Sequence, residues 1–409
     1  MPAWLKKLGS SQDGDRICNG PSLSSTLNLM LVFVPKLATR SSIEMKTDFG
    51  LWTIVANGRN SRFGGIHPSN CQGAPSVLRG AGGVQMGVLG RFMVTLTKCM
   101  PRFMVAAVAR RYVAGKDLEN AISVMQKLSS EGACFTVDVL GEEISTLDEA
   151  QFFIDEYDRV LDAIVEHKLD ANLSIKPTAF GLLIDEKIAY QNIERLLENA
   201  AEHDVFVRLD MEDHRVTQST IDIVLAMHQK GLTNVGTVLQ SRLLRTHEDI
   251  ESICNVLGGA ADFRICKGVY LEPEDIALTG YQEIVDALKS HISQMLDGGA
   301  YVGIASHDMP VIEHTIDALK QREMGPSIAD PRKNAGAVRT GKGPGYEFQM
   351  LLGVRGNVRR KLAQEGHRTR IYIPYGNRWY EYSMRRLDEN PDVAMHIVKS
   401  MLLPWTNRR

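Results

Sequence analysis

From about residue 117 onward, short apolar runs alternate with stretches in which apolar residues recur every three to four positions. In order, the runs are CFTVDVLG (134–141), ANLSIKP (171–177), VFVRLDM (205–211), NVGTVLQ (234–240), DFRICKGVY (262–270), YVGIASHD (301–308), YEFQMLLG (346–353) and TRIYIPYG (369–376). Their length and their Val, Ile, Phe and Tyr content suit strands. Between them, DEAQFFIDEYDRVLDAIVEH (148–167) and AYQNIERLLENAAEH (189–203) place apolar residues at i, i+3, i+4 and i+7. That spacing gives a helix one face to bury. Eight strand–helix units at intervals of roughly thirty to forty residues predict an α/β chain folded as a (β/α)8 TIM-like barrel. The unit count favours the barrel over an open doubly wound sheet, and the absence of a G-x-G-x-x-G after the first run counts against a Rossmann nucleotide site.

The pattern is absent before Met86. Residues 1–85 are rich in Ser, Gly and Asn and hold no sustained period of 3.6 or 2. They read as a disordered leader, or as sequence upstream of a start at Met86; Asp13, Asp15, Glu44 and Asp48 speak against a transit peptide. The next segment, 86–116, is apolar, basic and Met-rich, and no Asp or Glu occurs from Phe49 to Lys116. It predicts N-terminal helices, interrupted at Pro101, that either dock on the barrel or lie on a membrane surface through Arg and Lys. The barrel domain takes 117–409 and closes with a C-terminal helix, PDVAMHIVKSMLLPW. Within it, 322–345 is rich in Gly, Pro and basic residues and predicts a long mobile loop.

Composition narrows the function classes. Lys and Arg total 47 against 49 Asp and Glu, so no global charge points to nucleic acid. The six cysteines have no metal-ligand spacing, which predicts no metal site and fits a reducing compartment. Leu29–Val34, the longest early apolar run, falls far short of the ~20 residues that span a bilayer.

The chemistry collects at the ends of the runs. Active sites in such barrels form at the C-terminal ends of the strands, and these ends carry Asp138, Lys176, Asp210, Gln240, Lys267, His307, Gln349 and Tyr372. Singly, each has an ordinary reading: Asp138 and Asp210 as helix caps, His307 as a satisfied loop histidine, the lysines as solvated. Together they describe a working mouth. WYEYSMRRLDEN (379–390) directly follows the eighth run. At ~100° per residue, Tyr382, Arg385, Arg386 and Glu389 share an arc of about 100°, while Tyr380, Met384 and Leu387 lie opposite. Two guanidinium forks on one face suit a small carboxylate, with Glu389 bracing one of them. The alternative is a solvated face laced with Arg–Glu pairs.

YIPYGNRWYEYSMRRLDEN resembles the C-terminal signature of proline dehydrogenases, Y-x-P-x-G followed by Y-x-x-R-R-L-x-E-N. LSIKPTAFG, VRLDMED, VLQSRLLRT, RICKGVYLEP, IASHD and EFQMLLGV agree in order, so the resemblance runs from about residue 90 to the end; the leader and the 322–345 loop have no counterpart. It implies FAD-dependent oxidation of L-proline to Δ1-pyrroline-5-carboxylate, the first step of proline breakdown to glutamate, with electrons passed to a membrane quinone. Arg385, Arg386 and Lys176 would hold the proline carboxylate, and Asp210, Tyr372, Tyr382 and Leu351 would wall the ring. Tyr372 would crowd the place of a hydroxyl and disfavour hydroxyproline. Met211, Gln240, Arg264, Lys267, Gly268, Tyr270, His307 and Glu389 would contact the flavin. No residue stands out as a general base. The chain is too short for the bifunctional members that add an aldehyde dehydrogenase and reads as a single-activity enzyme. The location implied is cytoplasmic with peripheral contact at the inner membrane, or mitochondrial in a eukaryote.

Two rival classes make different predictions. A Schiff-base lyase on the same fold would use Lys176 or Lys267 as nucleophile and give the arginine pair to a phosphate. A non-catalytic proline binder would take its ligand without flavin.

Overall fold

The computed structural model describes residues 43–47, 50–54, 105–106 and 109–389, with 43–47, 50–54 and 385–389 described in backbone only. It divides into two units, Met1–Arg79 and Gly80–Arg409. In the first, β1 (Ile43–Thr47) and β2 (Gly50–Ile54) pair antiparallel, Ile43 opposite Ile54. The alternation of Ile43, Met45 and Thr47 with Glu44 and Lys46 is a local strand pattern. Otherwise the expected disordered leader lies outside the described residues, as do most of the 86–116 segment and the C-terminal stretch 391–405.

In the second unit every apolar run forms a strand: β3 (Cys134–Val139), β4 (Ala171–Ile175), β5 (Val207–Leu209), β6 (Val235–Gln240), β7 (Asp262–Cys266), β8 (Tyr301–Ala305), β9 (Tyr346–Leu351) and β10 (Thr369–Tyr375). All neighbours are parallel, and β10 pairs with β3 (Arg370 opposite Cys134) to close the barrel. Helix α1 (Leu118–Ser129) precedes β3. One helix then follows each strand: α2 (Leu147–Glu166), α3 (Glu186–Glu202), α4 (Thr217–Gln229), α5 (Thr246–Leu257), α6 (Tyr281–Asp297), α7 (Met309–Gln321), α8 (Gly356–Gln364) and α9 (Trp379–Glu389).

Local chemistry sets these helices in place. At the start of α2, Glu149 Oε1 accepts from the backbone N–H of Ser145 at 3.0 Å and of Thr146 at 3.2 Å, using donors a helix start leaves open. Its buried face is Ala150, Phe153, Ile154, Tyr157, Leu161 and Ile164. Tyr157 then donates to the Ser174 carbonyl at 2.6 Å and pins the helix to β4. The apolar core lies between strands and helices, where Phe135, Val137, Leu173, Ile175 and Val207 are buried. Fully burying each such side chain favours folding by roughly 1.5–3 kcal/mol.

The barrel interior is polar instead. Thr136, Asp138, Asn172, Ser174, Arg208, Arg264, Glu347, Gln349 and Arg370 are all buried, where branched apolar side chains usually fill such a barrel. Each alternates with an apolar neighbour facing a helix, as the two-residue period of a strand requires.

At the N-terminal face of the barrel, the loop 322–345 corrects an expectation. It is tied down rather than mobile. Arg332 Nη1 donates to the Leu296 carbonyl at 2.7 Å, Asn334 Nδ2 to the Asp297 carbonyl at 2.9 Å, and Arg339 Nη2 to the Ala260 carbonyl at 2.7 Å. Lys342 Nζ lies 3.0 Å from Asp262 Oδ2 and 3.6 Å from the Phe206 ring centroid. Arg332, Arg339 and Lys342 of this basic stretch cover the end of the barrel. Residues 109–116 dock on β10, the Ala114 N–H donating to the Pro374 carbonyl at 2.8 Å.

Candidate active site

The polar strand ends converge at the C-terminal face. Asp138, Gln240, Gln349 and Tyr372 belong to β3, β6, β9 and β10, while Lys176, Asp210, Lys267 and His307 sit just beyond β4, β5, β7 and β8. Asp210 is the hub. Its Oδ1 accepts from Ser174 Oγ at 2.6 Å and Arg264 Nη1 at 2.6 Å, and its Oδ2 from the Tyr372 hydroxyl at 2.8 Å. Lys176 Nζ lies 3.9 Å from that Oδ2 and 2.5 Å from Asp138 Oδ1.

The Asp138–Lys176 pair does not share its gain evenly. Burial pushes the Asp138 carboxyl up more than Lys176 draws it down, and Asp210 pushes the same way. Burial pulls the Lys176 ammonium down, yet the two carboxylates outweigh it and raise its pKa. Asp138 is the more deeply buried, at 1% side-chain exposure against 12% for Lys176, so it loses more hydration. The pair thus secures positive charge on the lysine. Burial, then Asp138 and Asp210, also push the Tyr372 phenol well above its ordinary range, so it remains a hydrogen-bond donor.

Arg264 is gripped from two directions. Its Nε donates to Gln349 Oε1 at 2.6 Å and its Nη1 to Ser174 Oγ at 3.0 Å as well as to Asp210. Among the described residues its Nη2 has no hydrogen-bond partner. Its Cζ lies 5.2 Å from the Tyr372 ring centroid.

The β6–β8 side of the mouth carries the remaining expected positions. Gln240 Nε2 donates to the Glu212 carbonyl at 2.7 Å; the Glu212 carboxylate takes the Thr178 N–H at 3.0 Å, and burial pushes it up to about 7. His307 Nε2 accepts from the Leu351 N–H at 3.0 Å, which puts the ring proton on Nδ1. Burial pulls this histidine down to about 4, so it is neutral near pH 7. Lys267 Nζ pairs with Asp308 Oδ2 at 2.9 Å, 4.9 Å from the Tyr281 ring centroid. Gly268 adopts φ +99°, and a Cβ there would lie 2.7 Å from Arg242 Cδ and 2.8 Å from Gln240 Oε1. Arg242 Nη1 in turn holds the Tyr270 carbonyl at 2.6 Å, while Met211 is buried beside the hub.

Helix α9 carries Tyr382, half-buried, with its N–H donating to the Arg378 carbonyl at 3.1 Å. Arg385, Arg386 and Glu389 occupy its later turns in backbone; their side chains, and so the geometry of the expected clamp, lie outside the described residues. The structure thus joins Lys176, Asp210, Tyr372 and Arg264 in one network. It adds Ser174 and Glu212, which the sequence reading missed, and gives Asp138 and Gln349 partners. Ser174 and Gln349 sit at alternating polar positions inside strands, and that period was the available signal.

Comparison with known proteins places the chain. The family model described as proline dehydrogenase matches residues 121–398. Proline dehydrogenase 1 of Bacillus subtilis (strain 168) is 33% identical over 308 residues, 75% of this chain and 95% of that protein. Proline dehydrogenase of Deinococcus radiodurans is 33% identical over 299 residues, 72% and 90% of the two chains. Among solved structures, proline utilization A (PutA) from Bdellovibrio bacteriovorus inactivated by N-propargylglycine superposes with a TM-score of 0.62 at 22% identity. That match covers 70% of this chain but 33% of PutA, so the chain spans about a third of that protein and shares its fold there. With the matched family model covering most of the barrel and relatives alike over nearly their full length, this chain belongs to the proline dehydrogenase family of oxidoreductases.

Proposed function

We propose that the protein oxidises L-proline to Δ1-pyrroline-5-carboxylate with FAD as the immediate acceptor and a membrane quinone as the next one. The observation that carries this reading is the Asp210 hub, which holds Arg264, Tyr372 and Ser174 rigidly at the barrel mouth. Family membership supports proline as the substrate.

The residues present fit a flavin. Gly268 gives backbone approach where a Cβ has no room, the Nη2 end of Arg264 offers donors unused among the described residues, and His307 offers Nδ1–H. Gln240, Arg264, Lys267, Gly268, Tyr270, Met211, His307 and Glu389 would hold it. Bound there, the flavin would supply a two-electron acceptor for the hydride from the ring carbon next to nitrogen. The chain's own task is orientation and charge. Lys176, kept an ammonium by Asp138 and Asp210, would meet the substrate carboxylate together with Arg385 and Arg386. Tyr372, fixed by its bond to Asp210, would form the wall that disfavours a ring hydroxyl. Leu351 and Tyr382 would complete the enclosure. Arg264 would favour negative charge where it develops.

The lyase reading loses its basis at Lys176. A Schiff-base lysine needs a lowered pKa, whereas Lys176 is raised by two carboxylates. Peripheral contact with a membrane, through 86–116 or 391–405, is part of the proposal; no described helix is long and apolar enough to cross one.

The test is a visible spectrum of the purified protein under anaerobic conditions as L-proline is added. Flavin bands that bleach support cofactor, substrate and reaction together. Bands that persist discard proline as substrate, and a colourless protein that FAD cannot reconstitute overturns the reading.

A further inference from the structure

A line of side-chain hydrogen bonds runs through the barrel from the mouth to the covered end. Asp210 Oδ1 takes Arg264 Nη1 at 2.6 Å, Arg264 Nε gives to Gln349 Oε1 at 2.6 Å, and Gln349 Nε2 gives to Glu347 Oε1 at 2.6 Å. Glu347 also accepts from Arg370 Nε at 2.6 Å and the Tyr301 hydroxyl at 3.0 Å.

The amide of Gln349 cannot turn over within this line. Burial alone would raise the Glu347 carboxyl, but Arg370, Lys342 and Arg368 hold it well below the usual range, so it only accepts. The NH2 of Gln349 must therefore face Glu347, which leaves its carbonyl to face Arg264. Gly303 leaves the space, since a Cβ there would lie 2.4 Å from Gln349 Nε2. Without the bond at Nε, every remaining hydrogen bond to the Arg264 guanidinium among the described residues is at Nη1, and the group can pivot about that nitrogen.

We propose that Gln349 is a positioning residue: it fixes the Arg264 guanidinium so that its Nη2 end, unpaired among the described residues, meets the bound redox group, and thereby sets how far the site favours that group's reduced form. The inference rests on the flavin reading above. Gln349 is 5% exposed and needs no contact with substrate to act this way.

The test uses Q349M, of similar length without polar atoms, and Q349N, whose shorter amide cannot reach both partners. The midpoint potential of the bound flavin is measured by anaerobic dye-equilibrated titration, beside a thermal melt. Both variants are expected to move the midpoint to more negative values, Q349M by the equivalent of a tenfold weaker preference for the reduced form, about 30 mV for a two-electron couple. A shift below about 10 mV, a twofold change on the same scale, in both variants of a wild-type flavoprotein overturns the inference. So does a positive shift, or flavin loss that follows a lowered melting temperature, which a purely structural residue would produce. A wild-type protein that takes up no flavin defeats the underlying reading instead, and is seen before any variant is made.

Discussion

Replacing Asp138 tests whether its buried carboxylate is what keeps Lys176 charged. The two groups stand 2.5 Å apart, where opposite unit charges attract by about 7 kcal/mol gross at an effective dielectric constant of 20. Little of that survives as net stability, because burial raises the Asp138 carboxyl even with the lysine beside it. Asp138→Ala removes the acceptor and leaves Lys176 with Asp210 at 3.9 Å, and breaking a buried pair this way costs about 3–5 kcal/mol. Asp138→Asn keeps an acceptor for the ammonium and sheds the cost of burying the charge. Its loss shrinks to the difference between a charge-assisted and a neutral bond, about 1–2 kcal/mol. Urea unfolding followed by circular dichroism reads both, provided the slope with denaturant is unchanged. The pH dependence adds a signature. The folded-state pKa of Lys176 is raised, so its contribution is complete below the unfolded lysine value of about 10.4 and is lost as pH rises through the folded one. In Asp138→Asn the lysine loses that carboxylate, so the alkaline decline should be smaller and end at lower pH. An alanine variant within 1 kcal/mol of wild type, or an asparagine variant as damaged as alanine, would refute the reasoning.

Other perturbations separate the site from the frame. Gly268→Ala puts a side chain at φ +99° against Arg242 and Gln240, a strain of about 1–3 kcal/mol; flavin content per mole of protein should fall while the circular dichroism spectrum holds. Asp262→Asn leaves Arg208, Arg339 and Lys342 around a neutral group and should cost about 3–5 kcal/mol in urea unfolding at neutral pH. Those cations outweigh burial and depress the Asp262 pKa, so its contribution is present above the unfolded value of about 3.9 and lost as pH falls through the folded one; the gap between variant and wild type should close there. Arg385→Lys keeps the charge and loses the fork, so the KM for proline should rise at least tenfold, about 1.4 kcal/mol, with kcat less affected; near-normal affinity would remove the clamp from the mechanism.

The sequence showed most of the strand order, because each apolar run is too short for a helix and is followed by a helical period. It also showed which strand ends are polar. The pairing of those ends lies beyond local pattern. Asp138 finds Lys176 38 residues away, and Arg264 finds Gln349 across 85. Only barrel closure brings such positions together. Reading the runs as apolar also hid Ser174 and Glu347, although the two-residue period of a strand turns each of them inward. Arg339 illustrates the opposite error. In a Gly- and Pro-rich stretch a basic residue suggests solvent, yet its partner is Asp262, 77 residues earlier and fully buried.

The misread loop and the site belong to one electrostatic arrangement. A polar barrel interior is costly to desolvate, and its groups persist only when each charge has a partner. At the covered end the Gly343 N–H donates to the Tyr301 hydroxyl at 3.0 Å, and Arg370 Nη2 donates to the Gly341 carbonyl at 2.8 Å. The loop 322–345 thereby supplies partners for Tyr301 and Arg370, two of the residues that bind Glu347, and Glu347 orients the amide that grips Arg264. Water entering at that end would compete for these bonds and raise the local dielectric, weakening the fixed charges along the column. The same loop that helps stabilise the frame therefore favours a rigid, poorly hydrated guanidinium at the mouth, where preorganised charge is most effective.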